Sequence, residues 1–205
     1  MKTLLILTGP QGSGNHLWSK VFSADESVWG WKQLLDTYWI PHSAEPFAMA
    51  WDNPRLLEEI EFGNYAMTSI SCPYARDGEA LEPKYAEFIS EARQLGYNVK
   101  VAIIGRDQNV LRYQQKRVRG AVSYDRFEHN LPYLRSLHPV YLSTELLYLY
   151  KKDYLRSLSV QLEFPIFVED AKLEEILIQD PNAKYFQQAE TQELDHFVRH
   201  VSGIK

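Results

Sequence analysis

A short apolar run, Thr3 to Thr8 (Thr-Leu-Leu-Ile-Leu-Thr), passes directly into Gly9-Pro10-Gln11-Gly12-Ser13-Gly14-Asn15-His16. The run has the length and branched composition of a buried strand, and the residues from about Asn15 through Phe22 read as a helix. A glycine turn between a strand and a helix commits a chain to an α/β architecture. It is also a phosphate-loop signal: glycines let successive backbone N–H groups converge on an anion, and the helix adds the positive end of its dipole. The plainer alternative, a tight turn made by Gly12 and Gly14 with no ligand, stays open. Gly9 and Gly14 are spaced as in the nucleotide hydrolases, but the Lys and Ser/Thr that follow there are replaced by Asn15 and His16. The point charge for the outer phosphates and the magnesium-binding hydroxyl are both missing, which weakens an ATPase or kinase reading. A divergent nucleotide or nucleoside kinase remains an alternative, and it requires magnesium-dependent ATP binding.

The rest of the chain repeats the alternation of strand and helix. Strands are expected at Tyr65 to Ser71, stopped by Cys72-Pro73, at Val99 to Ile104, at Pro139 to Leu142 and at Phe164 to Val168. Helices are expected at Arg55 to Ile60, Pro83 to Leu95 with Gly96 as C-cap, from Asp107 onward, at Ser123 to Leu137 and at Thr144 to Leu158. Arg76-Asp77-Gly78-Glu79 reads as a loop, and an acidic, mostly helical tail from Ala171 is broken at Asp180-Pro181-Asn182. At 205 residues this predicts one domain over 1–205, a three-layer α/β fold with a central, mostly parallel sheet of about five strands.

A net charge of −5 argues against nucleic acid as a partner. No apolar run approaches the roughly 20 residues of a membrane span, and Met1-Lys2 leads into a strand without a secretory signal, so a soluble cytoplasmic protein without a membrane partner is expected. The single cysteine, Cys72, leaves no internal disulfide and no cysteine-based zinc site.

Two further stretches carry chemistry. Gly105-Arg106-Asp107 leaves the Val99 strand, placing Arg106 at the carboxyl end of a parallel strand, the edge where open α/β sheets bind ligands. Arg112, Lys116 and Arg119 follow on one helix face, with Arg117 beside them, which for Arg117 and Arg119 reads as a solvated face. Trp29 to Trp51 gathers four of the five tryptophans with Tyr38, His42 and Phe47. It reads first as packing of a long excursion between the first two strands, and second as an aromatic wall for an acceptor or purine.

The order of these segments resembles the P-loop sulfotransferases, which transfer a sulfuryl group from 3′-phosphoadenosine 5′-phosphosulfate to a hydroxyl. Ser13-Gly14-Asn15-His16-Leu17-Trp18 is similar to the family's 5′-phosphosulfate loop. Thr68-Ser69-Ile70-Ser71-Cys72-Pro73 is similar to its strand ending in a catalytic histidine and, one residue later, proline. Ile103-Ile104-Gly105-Arg106-Asp107 resembles the strand whose terminal arginine binds the 3′-phosphate. Val140 to Leu147, with Tyr154 to Leu158 and Leu162-Glu163-Phe164-Pro165, resembles the late strand and helix.

The resemblance implies that Gly9, Gln11, Gly12, Ser13, Gly14, Asn15 and His16 hold the 5′-phosphosulfate and that Arg106 with Gln114 holds the 3′-phosphate. No metal is implied, and neither the acceptor hydroxyl nor the oligomeric state is specified. Gly12 stands where many members have a sulfuryl-binding lysine, and Ser71 stands at the catalytic histidine's place, where it cannot accept a proton as imidazole does. His16, at the helix start, is then the candidate base, with a hydrogen bond to a phosphate or simple packing under the loop as its alternatives; Lys20 one turn on could reach the sulfuryl oxygens or face water, and His42, Asp52 and Glu145 are held in reserve. With Gly12 and Ser71 at those two places, a binding module that keeps the loop without the chemistry is the other alternative.

Overall fold

The computed structural model describes residues 2–178; the expected break at Asp180-Pro181-Asn182 lies outside them. In chain order the strands are β1 (Thr3–Pro10), β2 (Val28–Trp29), β3 (Tyr65–Cys72), β4 (Tyr74–Arg76), β5 (Glu79–Leu81), β6 (Asn98–Gly105) and β7 (Val140–Ser143). The helices are α1 (Asn15–Ser23), α2 (Ala48–Asp52), α3 (Tyr85–Gln94), α4 (Gln108–Arg119), α5 (Tyr124–Ser136), α6 (Thr144–Leu162) and α7 (Ala171–Ile178). Five strands form one all-parallel sheet in the order β2-β3-β1-β6-β7, covered by helices on both faces.

β1 is central, and all eight of its residues are buried, as a parallel strand covered on both sides requires. Its side chains alternate between two cores. Leu4 and Ile6 join Trp51, Phe88, Phe127 and Leu134 beneath α2, α3 and α5. Leu5 and Leu7 join Trp18, Phe22, Leu155, Leu158 and Leu173 beneath α1, α6 and α7. The same parity runs through Ala66 and Met67 in β3 and through Val101 to Ile104 in β6. At about 1.5–3 kcal/mol for each large apolar side chain buried, these four β1 residues contribute about 6–12 kcal/mol before chain entropy is subtracted.

The expected strand count holds, with one exchange. Phe164 to Val168 is irregular rather than a strand: Pro165 has no N–H for a ladder, and Phe164 packs as an aromatic plug against Phe22 and Tyr65, with ring centroids 5.8 and 5.5 Å away. The fifth strand is instead β2, two residues long, beside β3. The Arg76 to Glu79 loop is the tip of the β4–β5 hairpin, where Asp77 and Gly78 take φ of 50° and 85°, as an Asp-Gly hairpin turn does. The short helix expected at Arg55 to Ile60 is a 3-10 helix, Pro54–Glu59. α6 carries a break at Lys151, φ 48°. Among the described residues no helix is long and apolar enough to cross a membrane.

Candidate functional site

The sheet register brings the chemistry-bearing segments to one edge. Gly9 pairs with Ser71 and Pro10 with Cys72, while Ile104 and Gly105 pair with Leu142 and Ser143. The glycine loop, the end of β3, Arg106 and the β7–α6 junction therefore all leave the sheet at its carboxyl edge. The chain turns to one side of β1 for β2 and β3 and to the other for β6 and β7. The edge beside β1 is thus the switch point where open parallel sheets accept ligands.

The glycine loop is held from behind. Gln115, fully buried in α4, donates Nε2–H to the Gln11 carbonyl at 2.7 Å. Arg106 donates from Nη1 to the Gly12 carbonyl at 2.8 Å, and the Thr144 hydroxyl donates to the Ser13 carbonyl at 3.3 Å. Three consecutive carbonyls are thereby turned toward α4, β6 and α6. Across a planar trans peptide the next residue's N–H points the opposite way, so the N–H groups of Gly12 and Gly14 face away from these braces, while that of Ser13 closes a turn onto the Pro10 carbonyl. Gly12 and Gly14 adopt φ of 87° and 112°, the left-handed backbone open to glycine. Gly9 is required by space: a Cβ there would lie 2.6 Å from Ser13 Oγ and 2.8 Å from the Ile104 carbonyl.

Each expected site residue has a definite place. Ser13 is buried and donates its hydroxyl to Asn15 Oδ1, which leaves Asn15 Nδ2 buried without a partner at the first turn of α1. Arg106 Nη1 also donates to Gln114 Oε1 at 2.7 Å, so the two residues expected to share a phosphate touch. Gln11 is buried, its Oε1 accepting from the Ser123 hydroxyl. Ser71 lies level with Gly9.

His16 and Lys20, one turn apart on α1, both hold the excursion between β2 and α2. His16 Nε2 donates to the Ile40 carbonyl at 3.0 Å, since a carbonyl can only accept, and this leaves the lone pair on Nδ1 in the neutral ring. Its ring meets Trp31 edge-on at 5.1 Å and lies 6.2 Å from Trp39. Burial lowers its pKa below the usual 6.5, against a smaller opposing effect of the Ile40 bond. Lys20 Nζ donates to the Thr37 carbonyl at 2.6 Å, with its pKa lowered by partial burial. The structure does not bring Lys20 to the loop. Glu145 accepts from Asp107 N and from the Ser143 hydroxyl, and Asp52 accepts from Tyr74 and pairs with Arg76. The Cys72 thiol, buried and near Glu82, is pushed up to about 12, as suits a packing residue.

The aromatic excursion divides. Trp31 and Trp51 are core residues, whereas Tyr38 and Trp39 are exposed. It also carries a residue that sequence reasoning missed. Glu45 has a fully buried carboxylate: Oε1 accepts from Ser69 N at 2.5 Å and from the Thr68 hydroxyl at 2.9 Å, and Oε2 lies 2.9 Å from His42 Nδ1. Thr68 in turn accepts from the Trp51 indole N–H at 3.0 Å, and because an indole nitrogen only donates, the hydroxyl proton is directed at Glu45. Burying a carboxylate costs several kcal/mol unless donors meet it; here two meet Oε1, while Oε2, though close to His42, has no hydrogen-bond partner among the described residues. Pro41-His42-Ser43-Ala44-Glu45 held a usable signal, because residues three apart eclipse on a 3-10 turn, and His42–Ala44 is such a turn.

No protein-family model matches the chain, and a search of curated proteins finds no match.

Proposed function

We propose that the chain is a P-loop sulfotransferase-like protein that binds 3′-phosphoadenosine 5′-phosphosulfate at the carboxyl edge of its sheet and transfers the sulfuryl group to an acceptor hydroxyl. The observation that carries this reading is the glycine loop, with the carbonyls of Gln11, Gly12 and Ser13 tied back and an unpartnered, buried Asn15 amide nitrogen at the helix start. A buried donor beside outward amides and a helix N-terminus fits an anion. The phosphosulfate end of the donor is such an anion. Arg106 and Gln114 supply polar groups one strand away for the 3′-phosphate.

In this reading the donor brings the reactive sulfuryl group, and the protein contributes position and electrostatics. The loop amides and the α1 dipole meet the charge that collects on the leaving phosphate. Arg106 fixes the loop by its bond to Gly12 and adds a positive charge. Trp39, exposed and 6.2 Å from His16, marks the acceptor side. The binding-module reading is favoured by Gly12 and Ser71 at the positions where the family carries lysine and histidine. Binding without turnover would select it.

The test is calorimetric titration with adenosine 3′,5′-bisphosphate and, separately, with ATP and magnesium, using the native chain, Arg106→Ala and Gln114→Ala. Binding of the bisphosphate, weakened at least tenfold by Arg106→Ala, is the expected result. ATP binding alone would transfer the reading to the kinases, and binding of neither would leave the loop a structural turn.

A further inference from the structure

The twelve residues of α4 carry Arg112, Lys116, Arg117 and Arg119 and no carboxylate, in a chain whose net charge is −5. Arg112, Lys116 and Arg119 stand at i, i+4 and i+7, so they share one face of the helix, and all three are exposed. Cations in a last turn answer the helix dipole, which accounts for Lys116, Arg117 and Arg119 taken singly. It does not account for Arg112 in the middle of the helix, nor for three like charges one turn apart, which repel and weaken the helix. Elsewhere Arg76, Lys100, Lys152, Arg156 and Lys172 each pair with a carboxylate. Among the described residues Arg112, Lys116 and Arg119 do not.

An apolar side chain is left open beside them. Val118 lies three residues beyond Gln115 and seven beyond Leu111, on the stripe that buries both, yet it is 58% exposed. The last turn of α4 therefore runs past the core before Gly120, φ 72°, ends it. From Arg112 to Arg119 the basic face extends about 10 Å along the helix axis, the reach of three or four extended residues. A membrane needs a broad apolar face to enter, and the large apolar side chains that α4 exposes are Val118 and Tyr113 alone. A nucleic-acid duplex carries a charge about every 1.7 Å along a rod far longer than this face, and the acidic remainder of the chain would repel what lies beyond it.

We propose that this face of α4, with Arg112, Lys116, Arg119 and Val118, docks a short acidic segment of another protein that carries one apolar side chain among its carboxylates. The carboxylates neutralise three cations that have no internal counter-charge, and the apolar side chain covers Val118. An apolar anchor ringed by arginines is a common centre of binding energy. The surface is independent of the donor reading of the glycine loop and stands whether or not that loop holds a nucleotide.

The test is fluorescence anisotropy of the full chain at about 150 mM salt with three labelled octapeptides: glutamate throughout, glutamate with one central leucine, and glutamine throughout. Both acidic peptides should bind, the leucine peptide more tightly, and the glutamine peptide should not. The triple variant Arg112→Gln, Lys116→Gln and Arg119→Gln should weaken both acidic peptides about tenfold or more, while melting no lower than the native chain because mutual repulsion has been removed. Arg55→Gln, Arg93→Gln and Arg135→Gln together remove the same charge from exposed positions elsewhere and should leave binding as it is. Val118→Asp should cancel the advantage of the leucine peptide. Absence of binding by the acidic peptides, equal weakening by the two triple variants, or a leucine advantage that survives Val118→Asp overturns the proposal. So does tighter binding, lost in the α4 triple variant, of a DNA duplex or of phosphatidylserine vesicles than of the leucine peptide.

Discussion

Replacing Gln115 by leucine isolates the bracing of the glycine loop. The side chain is fully buried, Nε2 donates to the Gln11 carbonyl at 2.7 Å, and Oε1 accepts from Ser123 N at 2.9 Å. Leucine has nearly the same volume, so neither cavity nor overpacking contributes much. What remains is the cost of two stranded backbone groups, about 1–3 kcal/mol each when buried. The Gln11 carbonyl belongs to a buried residue and the Ser123 amide to a half-buried one, so the sum is about 2–4 kcal/mol. For a chain of this size that corresponds to a fall in Tm of roughly 4–16 °C. Urea denaturation followed by tryptophan fluorescence gives the difference directly, with Gln108→Leu on the exposed first turn of α4 as a control expected within about 0.5 kcal/mol. A Gln115→Leu loss no larger than that control would refute the claim that this side chain holds the loop.

Gly9→Ala forces a methyl against the Ile104 carbonyl and Ser13 Oγ and should cost about 1–3 kcal/mol, read from the same urea curves, with bisphosphate affinity falling alongside. Because burial depresses the His16 pKa below its unfolded value of 6.5, the stability tied to its neutral form is fully present above about pH 6.5 and is lost as pH falls through the folded pKa. His16→Gln, which can still donate to Ile40, should flatten that acid-side loss in melts run from pH 8 to pH 5. The Cys72 thiol, pushed up to about 12, should resist a thiol-specific chromogenic reagent at pH 8 in the native chain and react fully in denaturant.

The strand ends and their order along the chain were legible because they rest on local patterns. An apolar run ending in glycines, a strand stopped by Cys72-Pro73, and Asp107, whose carboxylate accepts from two backbone N–H groups at the start of α4, each carry their signal within a few residues. The same locality explains the misreading at Phe164 to Val168, where an apolar run satisfied the strand pattern but Phe164 was packed as a plug and Pro165 could not join a ladder. Helical spacing left Lys20 two places, reaching toward the loop or facing water. Spacing fixes the side of α1 on which it lies, and the Thr37 carbonyl that claims it belongs to an excursion whose path no local pattern sets.

By itself the sequence determined that a strand, a glycine loop and a helix would stand together, and that Arg106 would leave a parallel strand at the same edge. Period-two burial and the backbone freedom of glycine are properties of consecutive residues. Only the tertiary structure decided that Gln115, Arg106 and Thr144, about a hundred residues further along the chain, would take the loop's carbonyls, because sheet order sets which distant groups meet. It alone turned Glu45 from one acidic residue among 27 into a buried acceptor for Thr68 and Ser69. A carboxylate survives away from water only where donors from other segments converge on it, and that convergence of Ser69 and Thr68 exists only once the chain has closed over β3.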